Sequence, residues 1–146
     1  MPALSPMEDP FNLQRFVASQ SAVHEDVVSE LRSGSKQTHW MWFIFPQLRG
    51  LGSSPTSEHF GISSKAEALE YWTHPLLGAR LRECVALVLA VDGRTALQIF
   101  GTPDELKFCS SMTLFSEVVP DERSFAVALE KYCGGIPDRR TLELLQ

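Results

Sequence analysis

The sequence predicts an all-α fold: a single compact domain of about seven or eight short helices. Apolar residues recur at helical spacing along most of the chain, and capping residues precede several of these segments. No strong alternating pattern supplies the strands of a sheet. The chain has 146 residues, a length that suits one domain. We expect a disordered tail over residues 1–8 and the helical domain over residues 9–146.

The first third of the chain is predicted to hold two helices and a buried aromatic segment. Asp9-Pro10 indicates a helix start, with a carboxylate at the N-cap and proline at the first helical position. Ser21 can cap a second helix, which Gly34 ends. Residues 40–45 are six consecutive apolar residues, four of them aromatic. Periodicity does not distinguish a buried helix from a buried strand here, but an isolated strand leaves its backbone unpaired, which favours a short helix.

Turn and capping residues divide the rest of the chain into further helices. Residues 47–63 are the main loop region, interrupted by one short helical turn near residues 57–60. Ser64-Lys65-Ala66-Glu67 is a capping box, and His74-Pro75 opens the longest predicted helix. The remaining starts carry a capping residue, or proline followed by acids: Thr95, Thr102-Pro103-Asp104-Glu105, Pro120-Asp121-Glu122 and Asp138.

Charge and hydropathy exclude several classes of protein. The chain has 13 Lys and Arg against 18 Asp and Glu, a net charge of -5, whereas nucleic acid and anionic membranes attract concentrated positive charge. The longest apolar stretch, residues 85–91, is far shorter than the ~20 residues that span a bilayer. Residues 1–10 resemble neither a signal peptide nor a transit peptide. We therefore expect a cytoplasmic monomer without a nucleic-acid or membrane partner.

The residues that most often bind metals or cofactors show no suitable spacing. The three cysteines, an odd number without a CxxC pair, are Cys84, Cys109 and Cys133. They favour free buried thiols in a reducing compartment over a disulfide framework or a zinc clip. No histidine pair forms HxxxH or HExxH, and the glycine loop at residues 49–54 lacks the Gly-Lys-Ser/Thr of a phosphate-binding loop. We expect no metal and no cofactor.

Two segments carry the candidate binding residues. His39 flanks the aromatic run, where its imidazole either hydrogen-bonds the edge of the core or lines a pocket. Residues 107–113 place hydroxyls, a cation and a thiol inside a predicted helix, although Ser and Thr compete with helical hydrogen bonds. Either close helix packing or a polar pocket facing the aromatic run explains them. The candidate binding residues are His39, Trp40, Trp42, Gln47, Arg49, Lys107, Ser110, Ser111 and Thr113.

Short segments from one end of the domain to the other carry a family resemblance. They read DPFNLQRFV (9–17), HWMWFIFPQL (39–48), GLG (50–52), ISS (62–64), LLG (76–78), IFG (99–101), DELK (104–107), SSMTLF (110–115) and RTL (140–142). The chain resembles the family known as domain of unknown function 1810, whose bacterial members often carry a "calpastatin" label. The resemblance implies a mainly helical single domain, with no catalytic residues to carry over. Fungal relatives act as chaperones for a nascent translation elongation factor, which implies a chaperone-like role.

Two functions follow as expectations. The first is a protein-binding or chaperone-like helical module without catalysis, whose partner is a protein client. The alternative is a small-molecule-binding protein or enzyme with a polar pocket around His39, Lys107 and Ser110, where the imidazole moves a proton and the ammonium contacts an anion. A third interpretation is that all the candidate residues belong to the core.

Overall fold

The predicted all-α class is confirmed by a computed structural model, which describes residues 9–146. The predicted disordered tail, residues 1–8, lies outside the described residues. Within residues 9–146 there is no strand beyond one isolated bridge, between Leu48 and Ile62, and no helix is long and apolar enough to cross a membrane. The nine helices of this part of the chain are α1 (Gln14–Arg32), α2 (Met41–Ile44), α3 (Pro55–Phe60), α4 (Lys65–Thr73), α5 (Leu77–Leu89), α6 (Ala96–Phe100), α7 (Asp104–Val118), α8 (Ser124–Tyr132) and α9 (Arg139–Leu145).

The prediction of two separate helices before residue 34 is wrong, because α1 runs unbroken for 19 residues. Ser21 is exposed in the middle of α1 and accepts a hydrogen bond from Arg80, so it does not cap a new helix. The carboxylate of Asp9 accepts hydrogen bonds from the backbone N–H groups of Leu13 and Gln14, at 2.8 and 3.0 Å. It therefore caps a helix that begins later than predicted. α1, and not the 13-residue α5, is the longest helix described.

Three predicted caps are confirmed. The side chains of Ser64, Thr95 and Asp138 each accept a hydrogen bond from the backbone N–H three residues further on, which satisfies a donor that the first turn leaves free. Thr95 forms a complete capping box. These caps were predictable because both partners lie within a single turn.

Two other predicted starts differ from the structure. The carboxylate of Glu67 does not return to Ser64; it accepts from the backbone and hydroxyl of Ser63 and pairs with Arg15 of α1. Thr102 does not cap α7, whose N-cap position is Pro103 and lacks a side-chain cap. The local pattern assigns the Glu67 carboxylate to a capping box, but in the structure this carboxylate forms a long-range ion pair with Arg15.

The short helix predicted for the aromatic run is confirmed as α2, and it lies in the core. Phe45, just after α2, makes edge-to-face contacts with Phe100 of α6 and Phe108 of α7, at centroid distances of 5.9 and 5.1 Å. A second aromatic group lies further along α7, where Phe115 stacks on Phe125 of α8 at 5.5 Å. Phe108 and Phe115 lie two helical turns apart on one face of α7, and residues 110–115 are all buried, so the second half of this helix is enclosed by its neighbours.

The prediction of free thiols is wrong for two of the three cysteines. Cys109 of α7 and Cys133, which follows α8, form a disulfide with a Cα–Cα distance of 6.0 Å. The two residues lie equally far from the α7–α8 turn, Cys109 nine residues before Val118 and Cys133 nine residues after Ser124. Because α8 folds back along α7, this symmetry brings the sulfurs together, although no short motif links them. Cys84 remains a free, buried thiol.

Candidate functional site

The loop before α2 is organised by one carboxylate at the end of α1. Glu30 accepts hydrogen bonds from the backbone N–H groups of Gln37 and Thr38, at 2.6 and 2.9 Å, and from the Thr38 hydroxyl at 2.7 Å. It also accepts the indole N–H of Trp40 at 3.1 Å. Trp40 is thereby buried in the core, while His39 stays exposed.

Glu30→Gln is expected to lower the free energy of unfolding by roughly 1–2 kcal/mol near pH 7, because hydrogen bonds to a charged acceptor are lost. Burial alone raises the pKa of Glu30, but the four hydrogen bonds outweigh it and set the pKa below its ordinary value of 4.5. The contribution is therefore complete above the ordinary pKa and is lost as the pH falls through the folded-state pKa.

Urea unfolding of both proteins, near neutral pH and at about pH 3.5, measures this dependence. The difference in stability is expected to shrink at the lower pH. Glu25→Gln, at an exposed position of the same helix, is the control and should change little at either pH. A difference between Glu30→Gln and the wild type that stays constant with pH would contradict the role assigned to the ionised carboxylate.

α2 points one aromatic side chain outward. Met41, Phe43 and Ile44 are buried, whereas Trp42 is half-buried. The indole N–H of Trp42 has no hydrogen-bond acceptor among residues 9–146. The nitrogen itself is buried, so the exposed part of this side chain is its aromatic ring, and Trp rings are enriched at protein interfaces.

Trp42 borders a small depression built from α2, α3 and α7. Its empty space is about 230 Å³ when the solvent at its mouth is included. Three polar side chains contribute to its lining, from Gln47, Ser57 and Lys107. The other lining residues are Met41, Trp42, Phe45, Phe60 and Gly61. We call these eight residues the Trp42–Lys107 depression.

Lys107 is held in place over the indole. Its ammonium nitrogen lies 4.9 Å from the ring centroid of Trp42 and 3.7 Å from a carboxylate oxygen of Asp104. Asp104 also pairs with Lys36 at 2.9 Å, so the carboxylate is shared between two cations. The side chain of Lys107 is 21% exposed. Its charge is therefore oriented by the ring and the carboxylate but open to solvent.

Two arginines bind the backbone at the end of α3, a segment that forms part of the depression. Arg49 donates to the carbonyl oxygens of Glu58 and Gly61, both at 3.2 Å. Arg15 donates to the carbonyl oxygens of His59 and Gly61, at 2.8 and 3.2 Å. Gly61 is required at this point, because a Cβ there would lie 2.7 Å from the backbone of Arg49. α3 is thereby fastened to both α1 and the loop after α2.

Comparison with known proteins decides the family. The sequence pattern of the family described as "Protein of unknown function (DUF1810)" matches residues 10–145. The chain belongs to the DUF1810 family. The chain is also similar to a solved crystal structure, that of the conserved hypothetical protein Rv1873 from Mycobacterium tuberculosis, with 57% sequence identity and a TM-score of 0.93. The match covers 94% of this chain and 98% of that one. No curated protein sequence matches the chain.

In this DUF1810 protein, three of the candidate residues meet in the depression: Trp42, Gln47 and Lys107. Arg49 supports its wall from outside, and His39 is exposed on the loop before α2 without lining it. Trp40 is fully buried and belongs to the core. The structure therefore gathers part of the candidate set around Trp42 and separates the rest from it.

The hydroxyl-rich segment of α7 packs inside the DUF1810 domain and does not line the depression. Ser110, Ser111 and Thr113 are at most 6% exposed. The hydroxyls of Ser110 and Thr113 donate to carbonyl oxygens of their own helix, at 3.1 and 2.8 Å, and Thr113 accepts the backbone N–H of Asp138 at 2.8 Å. Close packing is therefore the interpretation that fits these three residues, because small side chains let α9 approach α7.

Sequence reasoning missed the contribution of α3 to the depression. Ser57 and Phe60 reach it because the backbone pairs Leu48 with Ile62 and returns the chain to α2. A possible signal was the sequence Ser54-Pro55, in which Ser54 caps α3 through the N–H of Ser57 at 3.1 Å. The Ser54-Pro55 sequence indicates that a helix begins there, but it does not indicate that Ser57 and Phe60 of this helix pack beside α2.

Two further titratable groups of this DUF1810 protein, Cys84 and His74, serve the fold. Burial, with a smaller effect of Glu83, raises the pKa of the Cys84 thiol to about 12, so Cys84 is not a thiolate near neutral pH. His74 caps α5 through its Nδ1 atom, which accepts from the N–H groups of Leu76 and Leu77 at 3.1 and 3.2 Å. Burial lowers the pKa of His74. A lower pKa favours the neutral imidazole, whose unprotonated Nδ1 can accept these hydrogen bonds. In residues 9–146 no three His, Cys, Asp or Glu side chains are grouped for a metal ion.

Proposed function

We propose that this DUF1810 protein is a cytoplasmic, monomeric protein-binding module, chaperone-like and without catalysis, that contacts its client through the Trp42–Lys107 depression. The observation that carries the proposal is the ammonium of Lys107 held over the half-buried indole of Trp42 at the edge of an apolar hollow. Trp is a frequent energetic centre of protein interfaces, where an apolar anchor is surrounded by polar groups. The overall charge of -5 favours neither nucleic acid nor membrane as the partner.

The size of the depression supports a protein client over a metabolite. Its enclosed space is only about 10 Å³, room for roughly one water molecule and far below the roughly 300–1,000 Å³ of pockets that enclose a drug-sized molecule. The depression is therefore too small to enclose a ligand, and a partner would contact its rim at Trp42, with an acceptor group placed against Lys107.

The lining also gives little support to the enzymatic alternative. Among the described residues, Lys107 is the titratable side chain of the depression, and the nearby carboxylate of Asp104 lies closer to Lys36 than to Lys107. His39 and Ser110, which that alternative needs beside Lys107, do not line the hollow. General acid–base catalysis requires groups within hydrogen-bond reach of the same reacting atoms, and the candidate residues are not arranged in that way.

Lys107→Met is expected to weaken client binding by roughly 30-fold, corresponding to a hot-spot loss of about 2 kcal/mol. Methionine keeps an unbranched side chain over Trp42 but removes the charge. The measurement is quantitative affinity capture with the tagged full chain from cells that express it, followed by titration of the captured species against both proteins. Circular dichroism verifies that the variant is folded.

Arg82→Met is the matched control. Arg82 lies over the ring of Trp72 at 4.7 Å, so it forms the same kind of pair at a different surface and should leave client binding unchanged. Equal losses in both variants, or no captured species above background, would contradict the proposal. A thermal-shift screen over metabolites tests the alternative, because a ligand at 100 times its Kd adds about 2.7 kcal/mol of stability.

A further inference from the structure

Hydrogen bonds hold the end of α8 in addition to the Cys109–Cys133 disulfide. Just before Cys133, the hydroxyl of Tyr132 lies within hydrogen-bond distance of the carbonyl oxygens of Val88 and Val91 at the end of α5 and donates its single proton between them. The ammonium of Lys131 donates to the carbonyl oxygen of Leu89 at 2.7 Å. These bonds join α8 to α5 without using either sulfur.

The segment after the disulfide is held independently as well. Asp138 donates its backbone N–H to Thr113 of α7 at 2.8 Å and caps α9 through Thr141. Thr141 is fully buried. Hydrogen bonds therefore hold the chain on both sides of the bend formed by residues 133–137. The disulfide joins the first residue of this bend, Cys133, to Cys109 of α7.

The bend itself is open. Gly134 and Gly135 have φ values of +67° and +72°, and a Cβ added to either would meet no described atom within 4 Å. Ile136 is 71% exposed. Cys109 and Cys133 are half-buried, whereas Cys84 is 1% exposed. A small molecule can therefore approach the disulfide without unfolding the core, and the two glycines allow the bend to adjust when the bond opens.

We propose that the Cys109–Cys133 pair is a thiol–disulfide exchange site that reacts with small intracellular thiols in the folded protein. A thiolate attacks one sulfur, forms a mixed disulfide and releases the other cysteine as a thiolate, which takes up a proton. A second small thiolate attacks its counterpart in the mixed disulfide and releases the remaining cysteine. Two small thiols are oxidised to one disulfide, and the protein gains two thiols. The proposal rests on the cytoplasmic location proposed above, because disulfides in reducing compartments are usually of this reversible kind.

The test uses the full chain equilibrated with reduced and oxidised glutathione over a range of ratios. Rapid alkylation under native conditions, followed by intact mass, then counts the exposed thiols. We expect a two-electron transition between zero and two labels, because Cys84 is labelled only in denaturant. We also expect the helical circular dichroism to be retained at 25 °C in both states, while reduction lowers Tm by roughly 5–15 °C through loss of the closed loop.

Single-cysteine variants separate exchange from a purely structural disulfide. Cys133→Ser and Cys109→Ser are each expected to form a one-to-one mixed disulfide with glutathione while folded, and Cys84→Ser should titrate like the wild type. Failure of the bond to form in oxidised glutathione, resistance to reduced glutathione until denaturant is added, or loss of the helical signal on reduction would each overturn the proposal. None of these results depends on the client proposed above.

Discussion

Glu67→Ala is expected to lower the free energy of unfolding by about 3–5 kcal/mol, the range for removing one partner of a buried ion pair. The Glu67 and Arg15 side chains are 2% and 7% exposed, and their charged atoms lie 2.7 Å apart. Without the carboxylate, the guanidinium of Arg15 keeps its desolvation penalty and loses its counter-charge. The N–H and hydroxyl of Ser63, which both donate to Glu67, lose their acceptor as well.

The effect is expected to reach the candidate site. Arg15 also holds the carbonyl oxygens of His59 and Gly61, so the ion pair orients the side chain that fixes the end of α3. Urea unfolding followed by circular dichroism gives the change in stability, and amide hydrogen exchange over residues 57–63 shows the local loosening.

Two comparisons define the result for Glu67. Glu143→Ala removes an exposed helical pair with Arg139, whose side chains are 55% and 93% exposed, and should leave the unfolding midpoint nearly unchanged. The double variant Arg15→Met with Glu67→Leu should be more stable than Glu67→Ala alone, since it leaves no unpaired buried charge. A loss below about 1 kcal/mol for Glu67→Ala would contradict the buried ion pair.

Gly78→Ala is expected to destabilise the domain by about 3 kcal/mol, at the upper end of the range for overpacking. Gly78 lies in the first turn of α5, and a Cβ there would lie 2.0 Å from the carbonyl oxygen of Trp72 in α4. That oxygen belongs to the backbone, so the clash cannot be relieved by a side-chain rotation. The tight α4–α5 turn, which His74 also caps, would have to open.

Helix propensity alone predicts the opposite sign for this substitution, since alanine is favoured over glycine inside a helix by about 1 kcal/mol. Ala86→Gly, at an exposed position of the same helix, is the matched control and should lose about that amount. Thermal and urea unfolding of both variants show whether the steric clash or the helix propensity dominates at position 78. A more stable Gly78→Ala protein would show that the α4–α5 turn is not packed as described.

Much of the fold could be predicted from short segments of sequence. The caps at Ser64, Thr95 and Asp138 were predictable because donor and acceptor are three residues apart. The aromatic run was correctly predicted to be a short helix because the chain offers no partner strand. The break predicted at Ser21 was wrong because an exposed serine does not end a helix whose other face is buried along its whole length.

The candidate site was predictable only in part. Trp42 and Lys107 were identified by their residue types, but the sequence could not say that Lys107 lies over the indole while Ser110 and Thr113 point into helix packing. Lys107 lies in the partly exposed first turn of α7, whereas residues 110–115 of the same helix are all buried. The partners that make this division are far away in sequence.

The sequence by itself determined the all-α class, the family and most helix starts, because those depend on interactions within one or two turns. Only the tertiary structure decided which cysteines pair, which carboxylate meets Arg15 and which side chains surround Trp42. Cys109 and Cys133 are 24 residues apart, and Arg15 and Glu67 are 52 apart. Contacts at such separations depend on how the helices pack, which no local pattern specifies.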